Sequence, residues 1–107
     1  MKNTKSEIFK KNLDGKKLIV TLSGRLDSVE APKIENEIRE NLDGVDKLVF
    51  DFKTVDQVSS AGLRMLSSAQ KLMTNQGEMV IRNTSDEVRE FFEETGFSEI
   101  LTLEDGR

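Results

Sequence analysis

Short apolar runs that alternate with helical stretches predict an α/β fold, a mixed β-sheet with a leading hairpin and at least three packed α-helices. Three observations carry this. Leu18, Val20 and Leu22, and again Leu48, Phe50 and Phe52, alternate with their neighbours at the period of a strand. Ala31, Ile34, Ile38 and Leu42 recur at helical spacing. The two kinds of run then succeed one another along the chain, the order that gives strand–helix–strand crossovers and a sheet covered by helices. At 107 residues the chain is read as one domain over 1–107, long enough for a single core.

In order, Glu7 to Asn12 is weakly strand-like, and Asp14-Gly15 supplies the positive φ values of a tight hairpin. Lys17 to Gly24 then reads as a strand antiparallel to the first. Six lysines between Lys2 and Lys17 fit solvated edge-strand charge that blocks edge-to-edge pairing. Gly24-Arg25-Leu26-Asp27-Ser28 ends the second strand. A helix follows, starting between Ser28 and Ala31 because Pro32 is tolerated only in a first turn, and stopping at Gly44.

Leu48 to Phe52 is the next strand, followed by a loop to Ser59. From Ser60, the stripe Gly62, Leu66, Ala69 and Met73, broadened by Leu63, Met65 and Leu72, predicts a helix closed by Gly77. Glu78 to Arg82 is a further strand. Thr84 with Glu87 three residues on has capping-box spacing, Val88, Phe91 and Phe92 give that helix its buried face, and Gly96 stops it. Ile100 to Leu103 reads as a last short strand.

Composition excludes several function classes. The net charge of −4 offers no basic face for nucleic acid. No stretch approaches the 18 or so apolar residues of a membrane span, and Met1 to Lys5 has no apolar run behind it, so neither membrane insertion nor export is expected. The chain lacks cysteine, which fits the cytosol and rules out disulfides and thiolate chemistry. It also lacks histidine, the commonest metal ligand and the usual general base near neutral pH. No Ser/His/Asp or Cys/His arrangement can form, and there is no P-loop or dinucleotide fingerprint. Neither a catalytic residue, a metal site nor a cofactor is expected.

Two sets of residues remain. Asp27, Asp51 and Asp56 fall at or beyond the carboxyl ends of neighbouring strands, where acids bind magnesium or accept a phosphoryl group. The plainer reading of Asp51 and Asp56 is turn capping through backbone amides. Ser59 and Ser60 stand at the start of the Gly62 helix, where a serine ordinarily serves as an N-cap. A hydroxyl exposed there is also a site for a kinase, because a phosphate at a helix N-terminus meets free amides and the positive end of the dipole. The last third of the chain is acidic, with eight carboxylates and two arginines from Asp86 to Arg107, which fits a solvated face or the steering of a basic partner.

Leu48-Val49-Phe50-Asp51-Phe52, the loop, and Ser59-Ser60-Ala61-Gly62-Leu63 are similar to the signature of STAS domains. Gly24-Arg25-Leu26-Asp27, Gly77-Glu78-Met79-Val80 and Phe91-Phe92 to Thr95-Gly96-Phe97 extend the likeness over nearly the whole chain. Within the family it resembles the small stand-alone anti-sigma-factor antagonists of bacteria. The resemblance implies a cytoplasmic, non-enzymatic STAS domain, monomeric when free. It also implies a phospho-switch: the unphosphorylated antagonist binds an anti-sigma factor that is itself a serine kinase, phosphorylation ends binding, and a serine phosphatase restores it. Matched through Gly62 and Leu63, the phosphoacceptor falls on Ser60, with Ser59 as the alternative, and the family's acid falls on Asp27. The implied partner surface is Asp27, Ser59, Ser60, Ala61, Gly62 and Leu63. Two positions depart from the best-studied pattern, Ser59 where it has aspartate and Ala61 where it has serine or threonine. A second reading keeps the fold without the switch, as an adaptor in a lipid-transport complex or a scaffold in a stress-sensing assembly.

Overall fold

The computed structural model of the chain describes residues 9–14 and 16–104. Its elements are β1 (Phe9–Asp14), β2 (Lys17–Leu26), α1 (Glu30–Asn41), β3 (Lys47–Val58), α2 (Ser60–Thr74), β4 (Glu78–Arg82), α3 (Asp86–Glu94), a 3-10 turn (Phe97–Glu99) and β5 (Leu103–Glu104). The strands form one sheet in the order β1-β2-β3-β4-β5. β1 and β2 pair antiparallel, from Phe9 opposite Leu22 to Asp14 opposite Lys17. The pairs β2–β3, β3–β4 and β4–β5 are parallel. The predicted mixed sheet with a leading hairpin and at least three helices is therefore observed, with three helices among the described residues. Lys2, Lys5, Glu7, Ile8 and the hairpin's Gly15 lie outside the described residues.

Strand alternation puts Leu18, Val20, Leu22, Leu48, Phe50, Phe52, Met79 and Ile81 on one face, all buried. Ala31, Ile34 and Ile38 of α1, Leu63, Leu66, Ala69 and Met73 of α2, and Val88 and Phe92 of α3 join them in a single core. The Phe52 and Phe92 rings lie 6.3 Å apart, which seats α3 over β3. Burying each of these side chains other than the alanines contributes about 1.5–3 kcal/mol, so the core fixes where the ends of the strands fall. Two close approaches set the register of the helices. A Cβ on Gly77 would collide with the Asp46 carbonyl oxygen, which accepts the neighbouring Glu78 amide at 3.1 Å. The Gln76 side chain donates to the carbonyls of Leu42 and Val45, at 2.7 and 2.6 Å, tying the end of α2 to the end of α1.

The structure differs from the sequence reading in four places, the first being that β2, expected from Lys17 to Gly24, runs on to Leu26. The expected loop after Phe52 is strand: β3 continues to Val58, paired with β2 through two register shifts. Thr21 faces Asp51 while Ser23 faces Thr54, and Gly24 faces Val55 while Arg25 faces Gln57, so β3 carries an extra residue at each step. The first bulge is satisfied locally, since Asp51 Oδ1 accepts from the Lys53 amide at 3.0 Å and the Thr54 hydroxyl donates to the Leu22 carbonyl at 3.2 Å. At the second, Gly24 takes φ +81°, a left-handed backbone that glycine adopts without strain. The α3 cap is Ser85 rather than Thr84, because Ser85 Oγ accepts from the Val88 amide at 3.1 Å. Ile100 and Leu101 are not strand: their amides donate to the Phe97 carbonyl and close the 3-10 turn, so pairing with β4 begins at Leu103.

Candidate functional site

The site is built where β2 and β3 end and α2 begins. Ser59 has an extended backbone (φ −93°, ψ 177°), and its carbonyl accepts the first helical bond, from the Leu63 amide at 3.0 Å. Its hydroxyl is engaged in both directions, donating to the Leu26 carbonyl at 3.1 Å and accepting from the Gly62 amide at 3.4 Å. The Ser59 amide donates to the same Leu26 carbonyl at 3.0 Å. Ser59 is therefore the N-cap of α2 and the clasp that holds the end of β2 against it. Ser60, the first residue of the helix, is exposed.

Gly62 explains how the two backbones approach so closely. A Cβ there would stand 2.8 Å from the Leu26 carbonyl oxygen and 2.9 Å from side-chain atoms of Leu26 and Val58. Ala61 is half-buried against the core and Leu63 is buried within it. Of the six residues read as a partner surface, Ser60 is exposed, Asp27, Ser59 and Ala61 are half-buried, and Gly62 and Leu63 are buried beneath them.

Asp27 follows Leu26 directly and so lies at the same junction. Its Oδ1 accepts from the amides of Val29 at 3.1 Å and Glu30 at 3.0 Å, and its carbonyl accepts from the Ala31 amide at 2.8 Å, so Asp27 caps the start of α1. The Glu30 amide, with smaller help from the Val29 amide and the Arg25 charge, holds this carboxyl below its ordinary value of 3.8 against an opposing effect of burial. Beyond it, Val29 is 61% exposed. Asp51 is engaged elsewhere: besides the Lys53 amide it accepts from Asn83 Nδ2 at 2.9 Å, and Arg82 lies 3.8 Å from its other oxygen. Asp56 is the extra residue of the second β3 bulge and is exposed. Among the described residues Asp27, Asp51 and Asp56 form no group able to hold a metal ion. No helix among them is long and apolar enough to cross a membrane.

A feature that the sequence reading missed adjoins this junction. An open groove of about 600 Å³ runs from Leu26 and Ser59 to α3, with Val58, Val88 and Phe91 in its lining and Asp56 and Glu87 beside them. Phe91, read from the sequence as part of the buried face of α3 with Val88 and Phe92, is only half-buried, packing against the core while also lining this groove, whereas Phe92 is fully buried.

Residues 8–106 match the family model of the STAS domain. The chain belongs to the STAS domain family. A curated relative, BtrV of Bordetella bronchiseptica, named as a candidate anti-sigma factor antagonist, is 38% identical over 92 residues, which cover 84% of this chain and 79% of that protein. The unphosphorylated form of the anti-sigma factor antagonist SpoIIAA superposes with a TM-score of 0.74 at 17% identity, covering 92% of this chain and 89% of SpoIIAA. The phosphorylated form of SpoIIAA, described as a Bacillus cell fate determinant, gives the same TM-score and identity over 92% and 91% of the two chains. A further antagonist structure, from Mycobacterium paratuberculosis, matches at a TM-score of 0.78 and 23% identity over 89% and 82%. At these identities the structural matches establish the fold that this STAS domain shares.

Proposed function

We propose that this STAS domain is a cytoplasmic, non-enzymatic anti-sigma-factor antagonist. In this reading it binds an anti-sigma factor that is also a serine kinase, is released when that kinase phosphorylates Ser60, and is reset by a serine phosphatase. The naming of BtrV supports the antagonist role. The observation that carries the choice of residue is the division of labour between the two serines. The Ser59 hydroxyl caps α2 and holds Leu26, so phosphorylating it would break two hydrogen bonds and drive a dianion toward a carbonyl oxygen. The Ser60 hydroxyl is exposed and contributes no hydrogen bond to the cap. A phosphate on Ser60 would meet the N-terminus of a helix whose first turn holds no acidic residue, an arrangement that tolerates added negative charge.

Partner binding is assigned to the same junction, with Ser60 and Asp27 at its centre, Ser59 and Ala61 beside them, and Gly62 and Leu63 as its support. Incubation with the kinase and ATP, followed by mass mapping of the phosphate, tests the assignment. A single phosphate on Ser60 is expected, and stoichiometric phosphate on Ser59 overturns it.

A further inference from the structure

We propose that the groove between the second β3 bulge and α3 is a second docking surface for the same partner, taking a segment in which a basic side chain stands beside an aliphatic one. This rests on the antagonist reading and extends its contact surface away from Ser60. The groove adjoins the proposed phosphorylation site, since Ser59, the residue before Ser60, and Asp27 are both in its lining. A partner that covers Ser60 and reaches toward α3 must pass over it.

The chemistry of the lining specifies the occupant. Leu26, Val58 and Val88 are buried and Phe91 is half-buried, giving an apolar floor that an aliphatic side chain or the stem of a lysine or arginine would cover. Asp56 and Glu87 stand at the rim, both exposed, and neither forms an ion pair with a described residue. Asp56 is held outward by the bulge: Gly24 pairs with Val55 and Arg25 with Gln57, leaving Asp56 without a partner position on β2. Arg25 also lines the groove, and its charge acts on Asp27, whose carboxylate already accepts two amides, so Asp56 and Glu87 carry the net negative charge of the lining. An apolar floor whose charged lining is three acids against the single cation Arg25 complements a basic amphipathic segment and repels an acidic one.

The test compares the affinity of the full-length protein for the purified anti-sigma-factor serine kinase of the same organism, at low and high ionic strength. Its variants are Asp56→Lys/Glu87→Lys, the milder Asp56→Asn/Glu87→Gln, Ser60→Asp, and a matched control, Glu93→Lys/Glu94→Lys. The control makes the same charge change on exposed residues at the far end of α3, outside the groove. The groove reversal should weaken binding by about tenfold or more and flatten its salt dependence. The neutral pair should weaken it less, and the control should leave it within about threefold. A groove reversal without effect, while Ser60→Asp still abolishes binding, overturns this proposal and leaves the antagonist reading intact. Equal weakening by the control also overturns it, because the effect is then the field of the whole acidic face. A loss of affinity in the groove variants alone, with Ser60→Asp binding like wild type, supports the groove and sinks the switch. No binding by the wild-type protein overturns both.

Discussion

Replacing each serine of the pair by alanine separates cap from acceptor. Ser59→Ala deletes the hydroxyl that accepts from the Gly62 amide and donates to the Leu26 carbonyl. The Leu26 carbonyl keeps the Ser59 amide at 3.0 Å, so it is not orphaned, and the bond from Gly62 is long at 3.4 Å. The loss should therefore fall near the middle of the range for removing a serine N-cap, about 1 kcal/mol. For a domain of this size that lowers Tm by about 4–8 °C. Ser60→Ala removes an exposed hydroxyl at a position where alanine is a good helix former, and should change stability by less than about 0.5 kcal/mol. Urea and thermal melts of the two variants beside wild type decide it. If Ser60→Ala costs as much as Ser59→Ala, Ser60 is part of the cap and the division of labour between the serines is wrong.

Other expectations follow from the same geometry. Gly62→Ala places a methyl 2.8 Å from a backbone oxygen, and the separation it forces between α2 and the end of β2 should cost about 1–3 kcal/mol in denaturant melts. Gln76→Ala removes both side-chain donors from the carbonyls of Leu42 and Val45 and should cost about 1–3 kcal/mol; a neutral result would mean that water replaces them freely. Because the folded state holds the Asp27 carboxyl below its ordinary value, its contribution to stability is present above that value of 3.8 and is lost as pH falls through the lower folded value. Asp27→Asn should therefore flatten the acid limb of a Tm–pH profile and change little of its shape near neutrality, and an unchanged acid limb would remove Asp27 from that role.

Much of the fold was legible because its signals are periodic. The alternation of Leu18, Val20 and Leu22 and the helical spacing of Ala31, Ile34 and Ile38 report burial directly, and all six are core residues. The second half of β3 was not legible for the same reason. Its two bulges break the period of two, so the buried residues fall at Phe52, Val55 and Val58, three apart, between exposed polar ones, a pattern that looks like loop. The groove was hidden with it, because its Asp56 rim exists only if that segment is a bulged strand. At the cap of α3, Thr84 and Ser85 are chemically alike, and only the bond from the Val88 amide distinguishes them. For Ser59 and Ser60 the local pattern was equally silent. The sequence put both at a helix start, and the difference between them is made by Leu26, a residue 33 positions away in the chain from Ser59.

The central claim is that phosphate on Ser60 acts on association and not on folding. At an exposed helix N-terminus the dipole favours the phosphate by about 0.3–1 kcal/mol, so the fold should be kept. The phosphate adds about −1.5 to −2 charge, and trapping that charge in an interface without a matching cation costs several kcal/mol, a loss of at least a hundredfold in affinity at about 1.4 kcal/mol per tenfold. The most direct measurement is calorimetric titration of the anti-sigma-factor kinase with unphosphorylated and with Ser60-phosphorylated protein, alongside a thermal melt of each form. The account predicts binding by the first form only, with melts that agree within a few degrees. Equal affinity of the two forms, or loss of binding accompanied by unfolding, would contradict it.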